Sequence, residues 1–209
     1  MYLSEKIHNT FDSNLDKFVG EFTYTAIRRR LGIIFNFPAD LKFKIEKYDD
    51  FEEDEYNLSG VYDFNKDRKY IVLNVSSKKN TLRLDHQDYD QWTFLLSQVI
   101  QHETIHQLQY QHRDCHDIAK LDFRDLRGSL NEEREYLADK DEIDAYGHDI
   151  AMEIKYHYPG KDPYNILKNI SKVRKLPSYN YYKQTFRRTK WSMVKKRLLK
   201  KTYNWIKYV

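Results

Sequence analysis

The sequence contains little of what marks secreted and membrane-spanning proteins. Cys115 is the only cysteine, so no disulfide can form within the chain. No run of apolar residues approaches the roughly 18 that a membrane-spanning helix needs. The N-terminus also lacks the succession of basic, apolar and small residues that is typical of a secretory signal. We therefore expect a soluble protein without a transmembrane segment, in the reducing environment of the cytoplasm.

Glycine and proline are scarce as well. Six Gly and four Pro among 209 residues provide no flexible linker, and the sequence has no internal repeat. A chain of this length corresponds to one domain, or to one domain with an appendage, and its 40% hydrophobic content can form a core. Domain boundaries must therefore be inferred from changes in residue pattern.

Positive charge is concentrated toward the C-terminus. Residues 161–209 contain fifteen Lys and Arg but a single acidic residue, Asp162, and carry about +14, whereas residues 1–160 carry about −10. We therefore divide the chain into a domain of residues 1–160 and a basic, aromatic, helical extension of residues 161–209. The extension either binds a polyanion, such as nucleic acid or an anionic membrane surface, or packs on its own domain through a helical stripe that includes Trp191 and Val194.

The periodicity of apolar residues predicts both helices and strands, and hence an α+β fold. Helical spacing predicts helices over 14–31 and 88–110, a helix that contains Glu142 and ends before Pro159, and a helix that begins at Asp162-Pro163. Strict alternation predicts strands over 41–47, 60–64 and 69–75, the last two joined by a hairpin turn. Ser129 and Asp139 are alternative N-caps for the helix that contains Glu142.

The predicted helix over 88–110 contains the strongest chemical signal, the run His102-Glu103-Thr104-Ile105-His106. His102 and His106 are four residues apart, so an α-helix projects both from one face and directs two imidazole nitrogens at one cation. Two imidazoles, a third protein ligand and a water molecule form a catalytic zinc site, in which a carboxylate such as Glu103 acts as general base. The sequence therefore predicts Zn²⁺ as the cofactor, bound by His102 and His106.

The third metal ligand has several candidates. His112 follows His106 by six residues, which is the ligand spacing of the metzincin peptidases. Metzincins, however, have a glycine where Gln109 stands here. If the helix continues instead of turning, His112 lies about 9 Å along the axis from His106 and cannot reach the metal. The acidic candidates lie on predicted helices further along the chain: Glu142, with Glu132 and Glu135 as lesser alternatives.

The segment from Tyr136 to Tyr146 resembles the second motif of the gluzincin peptidases. Glu142 is followed three positions later by Ala145, as in the Glu-x-x-Ala motif of the small HExxH zinc metallopeptidases, or zincins, that phages and prokaryotes encode. The resemblance covers about half of the chain, from the strand near residue 69 to the helix that ends near residue 157, and it leaves out the basic extension.

The resemblance implies both a ligand set and an architecture. It assigns His102, His106 and Glu142 as the zinc ligands and Glu103 as the general base. It implies a small mixed or antiparallel sheet packed on the HExxH helix and followed by a second, ligand-bearing helix. The strand over 70–75 would be the edge strand that binds the substrate backbone by adding it to the sheet.

Several further residues have weaker predicted roles. Asp139, one turn before Glu142, either accepts a hydrogen bond from a ligand histidine or caps its own helix. A tyrosine could donate to the oxyanion that develops during hydrolysis, and the candidates are Tyr146, Tyr179, Tyr181 and Tyr182. The histidines without a partner at ligand spacing are expected to face solvent: His86, His116, His148 and His157.

These features predict a zinc-dependent endopeptidase that hydrolyses peptide bonds of a protein or peptide substrate. One alternative is a catalytically silent, zinc-stabilised module that binds nucleic acid through the basic extension or is a structural phage component. A second alternative combines the two, as a protease that acts on DNA-bound proteins. The resemblance to phage peptidases places the protein in a host cytoplasm or a virion.

Overall fold

The structure is a computed structural model that describes residues 3–35, 40–113 and 130–209. It contains helices and small sheets, which confirms the α+β class. The helices are α1 (Leu3–Asp12), α2 (Tyr24–Phe35), α3 (His86–Gln111), α4 (Leu130–Ala138), α5 (Lys140–His157), α6 (Pro163–Lys168), α7 (Pro177–Thr185) and α8 (Arg188–Trp205). The strands are β1 (Gly20–Thr23), β2 (Leu41–Tyr48), β3 (Tyr56–Asp63), β4 (Arg68–Ser76) and β5 (Thr81–Leu84).

Contacts divide the chain into two compact units, Met1–Gln107 and Leu108–Val209. The first contains all the strands and most of α3, and the second contains the last turn of α3 and helices α4 to α8. The division predicted at residue 160 was based on charge and stays a prediction.

A three-stranded sheet in the order β2-β4-β3 forms the centre of the first unit. β2 runs parallel to β4, with Phe43 opposite Ile71, and β3 runs antiparallel to β4, with Gly60 opposite the same Ile71. β1 and β5 form a separate antiparallel pair. The strands predicted over 41–47, 60–64 and 69–75 are thus confirmed, the second beginning earlier than predicted.

The prediction that the strand over 70–75 forms the sheet edge is wrong, because β4 lies between β2 and β3. Its composition gives the physical reason. The run Tyr70-Ile71-Val72-Leu73 has no polar residue between its apolar ones, and a strand paired on both sides is typically such a continuous apolar run. The edges of this sheet are β2 and β3.

The single helix predicted over 14–31 is also wrong in part. A short 3-10 turn covers Leu15–Lys17, β1 follows, and α2 begins only at Tyr24. Gly20 has a positive φ of 126°, a backbone conformation that L side chains rarely adopt and that cannot continue a helix. The apolar residues before and after Gly20 are therefore in different elements, among them the 3-10 turn and helix α2.

The core of the first unit contains a cluster of aromatic rings. Trp92 of α3 is fully buried, and its ring centroid lies 5.3 Å from that of Phe11 and 5.6 Å from that of Phe18. Tyr89 lies one turn before Trp92 and donates a hydrogen bond from its hydroxyl to the carbonyl of Phe11 at 2.7 Å. Burial of each large apolar side chain contributes about 1.5–3 kcal/mol, so this face of α3 is firmly anchored.

The second unit is helical and has its own core. The helix that contains Glu142 is α5, and Asp139, one of its two alternative N-caps, is confirmed: it accepts a hydrogen bond from the backbone N–H of Asp141 at 2.7 Å. α4 is a separate helix before it. α5 ends at His157, before Pro159, as predicted. Asp162 caps α6 by accepting from Tyr164 N at 3.1 Å, which confirms that helix start.

The basic extension packs against the rest of the second unit. α8 lies along α5, and its Val194 and Leu198 are buried while Trp191 is half-buried. The predicted apolar stripe is thus confirmed. No helix in the described part of the chain is long and apolar enough to cross a bilayer.

Candidate metal centre

Helix α3 positions the first two candidate ligands. Asp85 caps it by accepting hydrogen bonds from the N–H groups of Gln87 and Asp88, each at 2.8 Å, and the anchored aromatic face fixes its rotation. His102 and His106 therefore project from one side, with ring centroids 4.8 Å apart and ring planes inclined at 74°. His102 is 9% exposed and His106 is half-buried.

Glu142 completes a group of three metal-binding side chains. One imidazole nitrogen each of His102 and His106 and one carboxylate oxygen of Glu142 lie within 4.8 Å of one another. Glu142 is 6% exposed. Two imidazoles and a carboxylate are the donor set of one common type of catalytic zinc site. This buried group could therefore hold a metal ion.

Polar contacts in the second unit hold the start of α5 close to the end of α3. Gln109 donates a hydrogen bond from its amide nitrogen to the backbone oxygen of Asp141 at 3.2 Å. Arg113 forms an ion pair with the Asp141 carboxylate. Glu142 is the next residue along the chain, and His106 lies one turn before Gln109 and Tyr110 on the same continuous helix. The residue that replaces the metzincin glycine thus binds the neighbouring helix.

Glu103 packs directly against the backbone of an edge strand. It is 6% exposed, and its Oε1 lies only 2.6 Å from where a Cβ on Gly60 of β3 would stand. The Glu103 Cγ and the Val99 Cγ1 are each 2.7 Å from the same point. These distances are too short for any side chain, so only glycine at position 60 lets Glu103 lie against β3.

A polar network ties the helix to the sheet one residue after His106. Gln107 donates to the Asp40 carboxylate at 3.1 Å and accepts from the ammonium group of Lys69, which also pairs with Asp40 at 2.7 Å. Partial burial of Asp40 opposes its ionisation, but hydrogen bonds from Lys69 and Gln107 outweigh this and lower the pKa of the carboxyl. The network therefore favours the charged pair at neutral pH.

Tyrosines surround Glu142 within the second unit. Tyr182 of α7 is fully buried, and its ring lies 5.1 Å from that of Tyr146, which follows Glu142 by one turn of α5. Burial and then the negative charge of Glu142 raise the pKa of Tyr182 well above its usual value, so its hydroxyl stays protonated. Tyr181 donates instead to Glu133 at 2.7 Å. The predicted oxyanion roles of these tyrosines stay predictions.

The remaining candidates lie elsewhere or outside the described residues. His112 is exposed at the end of α3, and Glu132 and Glu135 are exposed on α4. None of the three belongs to the metal-binding group found among the described residues. Asp139 has the capping role, and its predicted contact with a ligand histidine stays a prediction. Cys115, His116 and Ser129 lie outside the described residues.

Comparisons with protein families, with curated proteins and with solved structures found no match to this chain. The functional assignment is therefore based on the residues and their geometry.

Sequence reasoning missed two residues that shape the site. Gly60 gave no signal of its role, because its importance arises only from the approach of α3 to β3. Gln109 did carry a signal, since a long polar side chain one turn after a metal-binding histidine faces whatever packs beside that helix.

Proposed function

We propose that the protein is a zinc-dependent endopeptidase, with His102, His106 and Glu142 as zinc ligands and Glu103 as general base. The observation that supports this most strongly is the buried group of two imidazoles and one carboxylate. A divalent cation could be coordinated by all three side chains at once, and this donor set suits zinc. Glu103 is next to His102 in sequence, where a base for a water molecule at the metal is needed.

The zinc ion and Glu103 would have different roles in peptide hydrolysis. A zinc ion bound by these ligands would supply a Lewis acid and lower the pKa of a bound water. Glu103 takes a proton from the attacking water and returns it to the leaving amine. Its placement against Gly60 restricts its rotamers, which keeps the carboxylate in one orientation for both proton transfers.

The position of Glu103 also indicates the class of substrate. It lies against β3, and no strand among the described residues pairs with the outer edge of β3. An extended peptide that added to this edge would run directly past Glu103, with its backbone held by strand-type hydrogen bonds. We therefore assign to β3 the substrate-binding role that the sequence had suggested for β4.

The test combines metal analysis with proteolysis. Purified protein should contain one zinc per chain by plasma mass spectrometry and should cleave casein, and a chelator should abolish cleavage. Glu103→Gln should retain zinc while cleavage falls by at least about 100-fold, the range for loss of a general base. Cleavage at the wild-type rate by Glu103→Gln would refute the assigned base.

A matched pair of variants tests which residue is the third zinc ligand. Glu142→Ala should lose zinc, and His112→Ala should keep it, since His112 is exposed and outside the metal-binding group. Loss of zinc in the second variant instead of the first would refute the ligand assignment. Zinc binding without cleavage of any protein substrate would favour the silent, zinc-stabilised module.

A further inference from the structure

A concave surface on the first unit shares no residue with the candidate metal-binding group. Helix α2 and one end of strands β2 and β4 form it, and its lining residues are Arg28, Gly32, Leu41, Lys42, Phe43, Lys44, Arg68 and Tyr70. None of these residues has a role in the proposed peptidase reaction. We call this surface the basic pocket.

The charge of the basic pocket is of one sign. Half of its lining residues are cationic, namely Arg28, Lys42, Lys44 and Arg68, and none is acidic. Within the described part of the chain, no carboxylate forms an ion pair with any of these four. The arrangement is unfavourable without an anion, because like charges that share one concavity repel each other.

Some other lysines of the same unit are paired with carboxylates. Lys66 lies 3.2 Å from the Asp63 carboxylate, Lys69 lies 2.7 Å from Asp40, and Lys79 lies 3.2 Å from Glu53. The cations of the basic pocket differ from these three lysines in two ways: they have no carboxylate partner among the described residues, and four of them line one concavity without an acidic residue. This grouping of positive charge suits an anionic ligand.

The sheet fixes the spacing of the cations. Lys42 and Lys44 alternate with Leu41 and Phe43 on β2, so they share one face and lie about 6.6 Å apart along the strand. Lys42 is opposite Tyr70 in the parallel pairing, and the ammonium group of Lys44 lies 4.0 Å from the centroid of the Tyr70 ring. The positive charges are thus held in a row on regular structure.

We infer that the basic pocket binds a phosphate-bearing ligand, either the backbone of a nucleic acid or a free polyphosphate. Phosphate groups place several negative charges in a small volume, whereas carboxylates of a protein would need one side chain for each charge. The guanidinium groups of Arg28 and Arg68 can each donate two hydrogen bonds to one phosphate, and the lysines add point charges. The ammonium group of Lys44 covers the Tyr70 ring, so this face of the ring cannot stack on a base. Binding should therefore depend little on base identity.

The test measures binding of a fluorescein-labelled oligothymidylate to the full-length protein by fluorescence anisotropy, with inorganic tripolyphosphate as competitor. Lys42→Gln/Lys44→Gln should weaken binding by on the order of tenfold or more, since each charge-assisted contact contributes strongly. The same variant should reduce the slope of log affinity against log salt by about 1.4, the value for two lost contacts to a single strand. Thermal unfolding monitored by circular dichroism verifies that the variant is folded.

Two control variants remove the same charge elsewhere. Lys66→Gln/Lys78→Gln alters exposed lysines of the first unit that are paired with carboxylates. Lys196→Gln/Lys200→Gln alters exposed lysines of α8 and so tests the basic extension. Both control variants should bind within about twofold of the wild type.

The outcomes separate the ligand sources and can overturn the inference. Oligonucleotide binding that only the pocket variant weakens supports a nucleic-acid backbone as ligand. Tripolyphosphate binding measured directly by isothermal titration calorimetry, weakened only in the pocket variant and not accompanied by oligonucleotide binding, supports a free polyphosphate. The inference is wrong if neither probe binds at low salt, or if a control variant weakens binding as much as the pocket variant.

Discussion

The two compact units hold their parts of the candidate metal centre by different means. In the first unit, Glu103 is fixed by close packing against Gly60, where no additional atom can be accommodated. In the second unit, Glu142 follows a segment held by hydrogen bonds and an ion pair, through Asp139, Asp141 and Gln109. Because Glu103 is held by close packing, one added methyl group should be enough to displace it. Because the start of α5 is held by polar contacts, the position of Glu142 should instead change when a hydrogen-bond donor or acceptor is removed.

The largest expected effect comes from Gly60→Ala. The new methyl group would displace the Glu103 carboxylate, and a misplacement of about 1 Å can cost on the order of 100-fold in rate. Zinc content should stay unchanged, because Gly60 lies against Glu103 and not against an assigned ligand. Casein cleavage and zinc content of the purified variant check both expectations.

Gly32→Ala is the matched control for Gly60→Ala. A Cβ at Gly32 meets no atom within 4 Å, and in helix α2 alanine should stabilise by up to about 1 kcal/mol relative to glycine. Its cleavage rate should equal that of the wild type. Equal loss of activity in both glycine variants would show that Gly60 has no special relation to Glu103.

The same substitution in the second unit should affect stability instead of the reaction. A Cβ at Gly147 of α5 would lie 2.7 Å from the Cβ of Lys201 and 3.1 Å from the backbone nitrogen of Thr202. Gly147→Ala must therefore push α8 away, at a cost of about 1–3 kcal/mol. Urea unfolding followed by far-ultraviolet circular dichroism measures this cost, and activity per folded molecule should be retained. A stabilised variant would contradict the close approach of α5 and α8.

Loss of a polar contact should weaken metal binding moderately. Gln109→Leu removes the donor to the Asp141 backbone oxygen but keeps a side chain of similar length, so Glu142 should be less well positioned. Partners of metal ligands of this kind typically contribute about 10- to 100-fold to affinity, and we expect the lower end. Competition with a chromophoric zinc chelator measures the affinity. Gln111→Leu, an exposed change at the end of the same helix, should leave it unchanged.

The smallest effect concerns acid stability of the first unit. The pKa of Asp40 is lowered in the folded protein, so its contribution is fully present above the unfolded-state pKa and is lost as pH falls through the lower, folded value. Unfolding free energy measured between about pH 5 and pH 3 should therefore decrease less steeply in Asp40→Asn than in the wild type. For a partly exposed pair the difference should be a fraction of a kcal/mol. Identical slopes would contradict the lowered pKa.

The sequence predicted the long, periodic elements and the chemical motif. Helix α3 was predictable because its apolar spacing continues over many turns, and α6 because Asp162-Pro163 is a strong start signal. Strands β1 and β5 were not predicted, since each has only four residues and four residues define no period. The four-residue spacing predicted that His102 and His106 share a helix face, whereas the approach of Glu142 to them was suggested by resemblance to a peptidase family and is not specified by any local pattern.

Burial of polar residues was the hardest feature to predict. His148 was expected to face solvent, yet it is fully buried, and its ring packs edge-on against Trp205 with centroids 5.2 Å apart. Its position next to Gly147 explains the difference. Where α5 and α8 approach closely, His148 and Thr202 are both fully buried although they are polar. That approach depends on a glycine whose role is visible only in three dimensions.

The unequal distribution of the three tryptophans provides an optical probe of the first unit. Trp92 lies in the aromatic cluster of that unit and is 0% exposed, whereas Trp191 and Trp205 belong to the second unit and are half-buried. In a Trp191→Phe/Trp205→Phe variant, all indole emission would come from Trp92. A red shift of that emission during denaturation would then follow the opening of one core alone, and comparison with the helical circular dichroism signal would reveal whether both units unfold together.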